Sequence, residues 1–236
     1  TAKNIRLFPG HVEFEAVSQG DIQRIHLPIP GGFTIYNALA AAACGLCLGL
    51  KLEDIAAALR CAHGVKGRVE VVPTPTAYTV LIDYAHSPNA LENVLLTARD
   101  FTAGRLICLF GCGGDRDKSK RPIMGAVVRE LADVAIITSD NPRTEDPWAI
   151  LQDILAGMDG PGGEIHIEPD RAQAIRWALS QGQAGDVIVL AGKGHETYQE
   201  INGVQYPMDE RKIVAEYFEK RAQYRERAGN LPAGVV

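Results

Sequence analysis

The chain has 236 residues, a formal net charge of −5 and a hydrophobic content of 46%. That length suffices for one large domain or two modest ones with a buried core. The acidic balance argues against a nucleic-acid or membrane partner, and the longest nearly apolar run, 38–50, is shorter than the ~20 residues of a membrane span. We therefore expect a soluble, cytoplasmic protein.

The first part of the chain favours a β-hairpin followed by two helices. Apolar residues alternate between Leu7 and Leu27 on either side of Gln19-Gly20-Asp21, which is a turn sequence. Apolar residues then follow the helical period over 35–50 and 52–62. The second helical segment opens with acidic residues, which suit the positive end of a helix dipole.

The five cysteines show no disulfide or metal framework. Cys44 and Cys47 have the spacing of half a zinc site, but no second pair accompanies them. Cys61, Cys108 and Cys112 are scattered. We interpret Cys44 and Cys47 as small core residues of a helix.

A glycine-bounded segment, 64–67, predicts a hinge, and we place a domain boundary there, giving domains over 1–66 and 67–236. After it, apolar runs of strand length alternate with helical patterns, which predicts right-handed crossovers and a mostly parallel sheet covered on both faces. The expected strands are 80–82, 106–110, 134–137, 165–167 and 187–190, and the expected helices are 88–101, 120–132, 147–158 and 171–181.

The end of the chain predicts a hairpin and one more helix. The hairpin spans 198–206 around Asn202-Gly203, a favoured two-residue turn. The helix runs from 209 to about 227. The Gly/Pro-containing tail that follows is expected to be loose.

Three polar loops directly follow three of the predicted strands. They cover 111–118, 140–143 and 192–196. Open α/β sheets bind ligands at the carboxyl ends of their strands. The first two loops each carry a guanidinium, from Arg116 and Arg143, as well as carboxylates, and this mixture suits a zwitterionic small molecule.

The first loop, Gly111-Cys112-Gly113-Gly114, indicates an anion site made of bare backbone amides near a helix N-terminus. It fails as a dinucleotide fingerprint because a charged run, 116–120, stands where a close-packed helix should begin. A tight turn followed by a solvated charged run accounts for the same residues. The chain has no Gly-x4-Gly-Lys-Ser/Thr pattern, so Lys193 is not a P-loop lysine.

The other two loops also allow plain structural interpretations. An Asx turn with proline accounts for Asn141 and Pro142 but not for Arg143. A glycine turn with a hydrogen-bonded histidine accounts for 192–196. Both the structural and the ligand-binding interpretations stay open for these loops.

Two further segments carry charge near the hinge. Asp83 and His86 lie where the first predicted strand of the second domain gives way to its helix. A helix cap at Ser87 before Pro88 leaves both unexplained. Arg68, just past the hinge, either reaches a ligand between the domains or forms an exposed pair with its neighbour Glu70.

Taken together, six segments resemble the Mur ligases of peptidoglycan synthesis, and among them the MurE type, which adds the third residue of the stem peptide. The likeness covers nearly the whole chain. The segments are Tyr36-Asn37-Ala38-Leu39-Ala40-Ala41, Gly67-Arg68-Val69-Glu70, Asp83-Tyr84-Ala85-His86-Ser87-Pro88, the loop 111–118, Asp140-Asn141-Pro142-Arg143 and Gly192-Lys193-Gly194-His195-Glu196.

The resemblance implies an ATP-dependent amide ligase that adds meso-2,6-diaminopimelate to UDP-MurNAc-L-Ala-D-Glu through an acyl phosphate. Residues 1–66 resemble the end of the central ATP-binding domain, and 67–236 resemble the Rossmann-like C-terminal domain that brings the amino acid. The family's UDP domain, P-loop and magnesium ligands have no counterpart here. We expect ATP and Mg²⁺ as cofactors, with the magnesium ligands outside this chain, and we expect the chain to be inactive alone.

The resemblance also implies site residues. The nucleotide side has Asn37 at the adenine and Asp83 at the ribose, with Arg68 and His86 nearby; Thr34 stands where the family often has a second asparagine. His195 is a candidate general base because it adjoins Glu196, although a core or capping role explains it equally. No residue is assigned to a metal. The positions that match the amino-acid site are Arg116, Asp140, Asn141, Pro142, Arg143, Gly192 and Glu196.

Other function classes fit less of the sequence. A non-catalytic Rossmann-like amino-acid-binding module explains the missing P-loop but not the half-domain at 1–66. A nicotinamide-dependent oxidoreductase lacks the acidic residue expected at the end of its second strand. Related amide ligases, such as folylpolyglutamate or cyanophycin synthetase, are disfavoured by the motif at 140–143.

Overall fold

A three-stranded antiparallel sheet and two helices form the first part of the chain in the computed structural model, which describes residues 1–18 and 20–229. β2 lies in the middle of this sheet. The elements are β1 (Ala2–Leu7), β2 (Val12–Ser18), β3 (Asp21–Leu27), α1 (Gly32–Cys47) and α2 (Leu52–Arg60).

The predicted hairpin is confirmed by the pairing of β2 with β3, in a register that places Val12 opposite Leu27. Gln19, in its turn, lies outside the described residues. β1 was not predicted, because its residues are mostly exposed and do not alternate. The inner face of the sheet packs on the helices. This small core contains Val12, Phe14, Ala16, Ile25, Leu27, Ile35, Ala38, Leu52 and Ala56.

A six-stranded sheet organises the rest of the chain, in the order β4-β5-β9-β6-β7-β8. Only the edge strand β4 runs antiparallel to its neighbour. The predicted mostly parallel sheet is therefore confirmed. Its strands are β4 (Glu70–Val72), β5 (Thr79–Asp83), β6 (Leu106–Phe110), β7 (Val134–Ile137), β8 (Glu164–Ile167) and β9 (Val187–Ala191).

Helices cover both faces of this sheet, because its strands are apolar on both sides. One face packs against α3 (Pro88–Arg99), α4 (Lys120–Leu131) and α5 (Pro147–Leu155). The other packs against α6 (Arg171–Gln181) and α7 (Glu210–Gly229). A separate hairpin, β10 (Tyr198–Ile201) and β11 (Val204–Pro207), precedes α7.

The order of the strands creates a crevice between β6 and β9. β9 is inserted between β5 and β6, parallel to both. The chain leaves β6 toward α4 on one face, whereas it leaves β9 toward α7 on the opposite face. Loops that part to opposite faces open a crevice at the carboxyl ends, where such sheets bind ligands.

The cysteines of α1 do not lie in the core. Cys44 and Cys47 are exposed, because α1 turns only its other side toward the small core, so the prediction that they are core residues was wrong. Residues 230–236 of the predicted loose tail lie outside the described residues. In the part of the chain that is described, no helix combines the length and apolar character needed to cross a membrane.

Candidate functional site

The three predicted loops meet in a cleft of about 260 Å³ at the carboxyl ends of β6, β7 and β9. A larger depression, about 560 Å³, lies beside Tyr78 and Gly182 at the amino ends of β5 and β9, away from these loops. Tyr84 and Lys120, which the sequence did not single out, also line the cleft. The predicted residues on its walls are His86, Arg116, Asp140, Asn141, Arg143, Gly192 and Glu196.

Backbone amides fasten the glycine-rich loop after β6 to the neighbouring loop. The amide of Gly114 donates to the carbonyl of Asn141 at 2.9 Å, and that of Asp115 donates to Glu145 Oε1 at 2.6 Å. α4 begins only at Lys120, so the loop does not open directly into a helix. These two amides fasten the loop to its neighbour, so the amide of Gly114 is not free to bind an anion.

The carboxylates of this loop are also engaged within the protein. Asp115 accepts hydrogen bonds from the hydroxyl and amide of Thr144 at 2.7 and 3.2 Å. Asp117 accepts from the amide and hydroxyl of Ser119. Lys118 pairs with Glu145 at 3.1 Å. The guanidinium of Arg116 donates to the carbonyl of Asp115 at 3.1 Å and is exposed at the cleft.

The buried side chain of Arg121 forms ion pairs that fix the first two loops against each other. Arg121 is fully buried and donates to Glu145 at 2.8 and 3.0 Å and to Asp153 at 2.9 Å. The hydrogen bonds from Arg121 lower the pKa of Glu145 to about 2. Arg121 directly follows the charged run 116–120 and was not predicted to have a role, because both of its partners lie far along the chain.

Asp140 carries an unpaired carboxylate oxygen at the bottom of the cleft. Its Oδ1 accepts from the amide of Asn141 at 2.7 Å, but Oδ2 is buried and has no hydrogen-bond partner among the described residues. Oδ2 lies beside Gly192, where an added Cβ would stand only 2.8 Å away. Since buried polar atoms are nearly always paired, this oxygen indicates a place for a donor from a ligand.

Arg143 is held in place by the β10–β11 hairpin. Its backbone has a φ of 52° and bonds to Glu200 and Asn202 of that hairpin. Its Nε pairs with Glu200 Oε2 at 3.2 Å, and its Nη1 donates to the carbonyl of Gly114 at 2.7 Å. A Cβ on Gly113 would stand 3.0 Å from Nη1, so the missing side chain there leaves room for the guanidinium.

A buried lysine organises the third loop. Lys193 is fully buried and donates to Asn141 Oδ1, to Glu196 Oε2 at 3.1 Å and to the carbonyl of Tyr198 at 2.8 Å. Burial lowers the pKa of Lys193, while Asp140 and Glu196 oppose that shift. Asn141 Nδ2 also donates to Glu196 Oε2 at 3.1 Å. Lys193 was not predicted as a site residue, yet it fixes two residues that were.

A fully buried ion pair lies under the loops. Arg171 pairs with Glu210 at 2.8 Å, and both side chains are inaccessible to solvent. Arg171 also donates to the carbonyls of Ser139, after β7, and Ala191, at the end of β9, at 3.3 and 2.8 Å. This pair ties together the two strand ends that carry Asp140 and Gly192, and the sequence had no signal for it.

The predicted nucleotide residues are only partly brought together. Arg68 and His86 both lie against the ring of Tyr84, at 5.4 and 4.7 Å from its centre, and His195 lies 5.1 Å from it. Asn37 is exposed on α1. Arg68, His86 and His195 are exposed, like Asn37. Of these four residues only His86 lines the cleft.

Three more residues, two of them predicted for the site, are occupied by contacts within the protein. Asp83 is buried, its pKa is raised by that burial, and its two oxygens accept the amides of Val69 and Ala85 at 2.8 Å. Thr34 is buried and donates to the carbonyl of Pro30. Pro142 is buried, and its carbonyl accepts the amide of Glu145.

The cleft thus has two ends of opposite charge. The guanidinium of Arg143 and the side chain of Arg116 lie beside Gly113. The carboxylate of Asp140 lies beside Gly192, and Glu196 also lines the cleft. Across the described residues, no three His, Cys, Asp or Glu side chains meet at metal-ligand spacing in this cleft. The two charged ends are suited to an organic zwitterion.

Comparison with known proteins gives a family match. The profile of the Mur ligase, glutamate ligase domain, matches residues 67–194. UDP-N-acetylmuramoyl-L-alanyl-D-glutamate–2,6-diaminopimelate ligase of Clostridioides difficile (strain 630) is 44% identical over 93% of this chain, and the ligase of the same name from Bacillus cereus is 47% identical over 91%. The chain spans 45% and 43% of those two relatives.

A solved structure of a ligase with the same name has a similar fold. It superposes with a TM-score of 0.78 at 37% identity, over 94% of this chain and 45% of the other. The fold prediction of a Rossmann-like Mur ligase C-terminal domain is confirmed by this similarity and by the family profile.

Proposed function

This chain belongs to the Mur ligase family, and from that premise we propose that it is the part of a 2,6-diaminopimelate ligase that binds the incoming amino acid. The complete enzyme would join meso-2,6-diaminopimelate to UDP-MurNAc-L-Ala-D-Glu in peptidoglycan synthesis, and so serve cell-wall growth, cell shape and division. ATP would phosphorylate the D-Glu carboxylate, and the amine would displace phosphate to form the amide.

The observation that carries this proposal is the pairing of opposite charges across one small cleft. Diaminopimelate has two carboxylates and two ammonium groups. Arg116 and Arg143 match the carboxylates, because guanidinium groups bind them by paired, charge-assisted hydrogen bonds. The buried, unpaired Oδ2 of Asp140 matches an ammonium donor, and Glu196 supplies a second acceptor.

The arrangement around these residues supports preorganised binding. Lys193 and Asn141 fix Glu196, while Glu200 and the carbonyl of Gly114 fix the guanidinium of Arg143. Groups already held in their binding geometry lose little conformational freedom when the ligand arrives. The role of this chain in the reaction would be to hold the attacking amine in position, which alone contributes strongly to rate.

The proposed share of this chain in ATP binding is limited. Arg68 and His86, gathered around Tyr84, would contact the nucleotide, whereas Asp83 is already occupied by two amides and Asn37 lies on α1. Mg²⁺ finds no ligand cluster in the cleft within the described residues. We propose that other parts of the ligase hold the ATP phosphates and the ion, and that this chain alone makes no amide.

We also propose that residues 1–66 and residues 67–236 form two separate domains. Its support is that the three-stranded sheet and the six-stranded sheet share no strand pairing within the described residues.

We also propose a cytoplasmic location. All five cysteines are free, three of them exposed, which suits a reducing compartment.

Calorimetric titration of this chain with meso-diaminopimelate, with L-lysine as control, tests the function. Lysine has only one carboxylate, so it cannot engage both Arg116 and Arg143. Saturable binding of diaminopimelate, with lysine bound at least about 30-fold more weakly, is the expected result, since a lost charged partner costs roughly 2 kcal/mol or more. Equal binding of the two ligands, or binding of neither ligand, would overturn the assignment of the amino-acid site to this chain.

A further inference from the structure

Two histidines and one carboxylate converge on the outer face of the three-stranded sheet. Glu13 and His26 are cross-strand partners of β2 and β3, so their side chains leave the same face. His11 stands two residues before Glu13 and joins them on that face. All three side chains are half-buried, with 26% to 44% of their surface exposed.

The distances in this cluster are too long for hydrogen bonds and close to those between ligands of one ion. Glu13 Oε1 lies 3.8 Å from His11 Nε2 and 3.6 Å from His26 Nδ1. All three ligand atoms lie within 4.8 Å of one another. In a tetrahedral zinc site with bonds of about 2.0–2.1 Å, neighbouring ligand atoms are roughly 3.3 Å apart. Small rotations of the side chains would therefore close the cluster on an ion.

Neighbouring side chains already orient the ligand groups. Arg24 donates to Glu13 Oε2 at 2.7 Å, which turns Oε1 toward the histidines. The ring of Phe8 stacks on that of His11, with 4.3 Å between ring centres and an interplanar angle of 12°. Such outer-shell contacts commonly fix the ligands of metal sites. The charge of Arg24 is shared with Glu15, 3.7 Å away, which limits its repulsion of a cation.

The two imidazole rings of the cluster pack against each other. The rings of His11 and His26 lie 4.4 Å apart. Burial, and then the proximity of His26, lowers the pKa of His11, against the opposing effect of Glu13. Neutral imidazole is the form that binds a metal ion.

We propose that His11 Nε2, His26 Nδ1 and Glu13 Oε1 form a binding site for a divalent transition-metal ion of the zinc class, with solvent completing its coordination. Three protein ligands of this kind with one open position are a known arrangement for zinc. The ion would join the segment before β2 to β3. It would therefore stabilise the folded sheet, because a ligand that binds only the folded state shifts the unfolding equilibrium.

The test uses the chain with Cys44, Cys47 and Cys61 changed to serine, because exposed thiols compete for zinc. Zn²⁺ is titrated by calorimetry, and thermal unfolding is followed with Zn²⁺ or with a chelator. Co²⁺ then replaces Zn²⁺, and its visible absorption reports the ligand set. His26→Gln removes one ligand, and His63→Gln, at a histidine of another segment, is the matched control.

One equivalent of Zn²⁺ is expected to bind and to raise the unfolding temperature, and Co²⁺ should show the bands of nitrogen and oxygen ligands without a thiolate band. Loss of an outer-shell partner alone weakens metal binding roughly 10- to 100-fold, so His26→Gln should weaken it at least tenfold. His63→Gln should leave it unchanged. Equal unfolding curves of all variants in chelator show that folding is intact. Absence of saturable binding, or equal binding by the two histidine variants, would overturn the proposal.

Discussion

The unpaired oxygen of Asp140 lies directly beside the bare Cα of Gly192. A Cβ at Gly192 would stand 2.8 Å from Asp140 Oδ2, and the glycine has a φ of +113°. Glycine is required here both by the backbone and by the space that Asp140 needs. The two loops therefore build the acidic end of the cleft together.

Gly192→Ala should lower stability by more than backbone strain alone explains, and it should also abolish diaminopimelate binding. The positive φ alone costs about 1–3 kcal/mol, and the new methyl group also displaces the Asp140 carboxylate. Gly49→Ala is the control, because Gly49 has a φ of +83° with open space around it. Urea unfolding should show a larger loss for Gly192→Ala, and only this variant should lose diaminopimelate binding. Similar losses of stability in both would contradict the close approach.

Arg143→Ala should weaken diaminopimelate binding by a factor of about 30 or more, since loss of a charged partner costs roughly 2–5 kcal/mol. The cause is the loss of the guanidinium that Glu200 and Gly114 hold at the cleft. Arg99→Ala removes another arginine, whose partner is the exposed Asp133, and should change affinity less than about twofold. Calorimetry measures both. An unchanged affinity for Arg143→Ala would remove this residue from the site.

The lowered pKa of Glu145 predicts a specific dependence of stability on pH. Hydrogen bonds from Arg121 lower its pKa in the folded chain from 4.5 to about 2. A lowered pKa in the folded state stabilises the protein above the unfolded value, and this contribution disappears as the pH falls through the folded value. Glu145→Gln should therefore be less stable than the parent chain at neutral pH, and the difference should shrink between pH 4.5 and about 2.

Urea unfolding at a series of pH values measures this difference. Glu92→Gln, at an exposed position of α3, is the control and should show little effect at any pH. A difference for Glu145→Gln that stays constant from neutral to acid pH would show that the ion pair with Arg121 does not govern it.

Variants of the buried Arg171–Glu210 pair should affect the stability of the chain and its binding of diaminopimelate differently. Arg171→Met leaves the Glu210 carboxylate buried without its partner, which should cost about 3–5 kcal/mol. Adding Glu210→Leu removes that charge and should restore most of the stability. The carbonyls of Ser139 and Ala191 still lack the guanidinium that held them. Diaminopimelate binding should therefore stay weak in the double variant.

Unfolding and calorimetry on the single and double variants test this separation. Recovery of both stability and affinity in the double variant would mean that Arg171 does not position the strand ends. Failure to recover stability would mean that the carbonyl contacts, rather than the unpaired charge, dominate its contribution to folding.

Much of the architecture followed from apolar patterns in the sequence. The parallel strands and their crossover helices alternate clearly, and α6 was predicted over the residues it occupies, Arg171–Gln181. β1 and β4 were missed for a physical reason. The exposed β1 and the three-residue β4 are defined by pairing with their neighbours rather than by their own pattern.

The cleft itself was predictable because loops after parallel strands meet at one edge of the sheet. The groups that hold it together were not. Lys193 reaches Asn141 across 52 positions, Arg121 reaches Asp153 across 32, and Arg171 reaches Glu210 across 39. Such pairs depend on tertiary contacts, and a single sequence carries no local signal for them.

The most direct test of the central claim is a crystal structure of this chain with meso-diaminopimelate. We predict an ammonium group of the ligand within hydrogen-bond distance of Asp140 Oδ2, beside Gly192, and a carboxylate on the guanidinium of Arg143 near Gly113. A ligand bound in the reverse orientation would refute the proposed roles of the two ends. A ligand bound outside the cleft would contradict the whole assignment of the site.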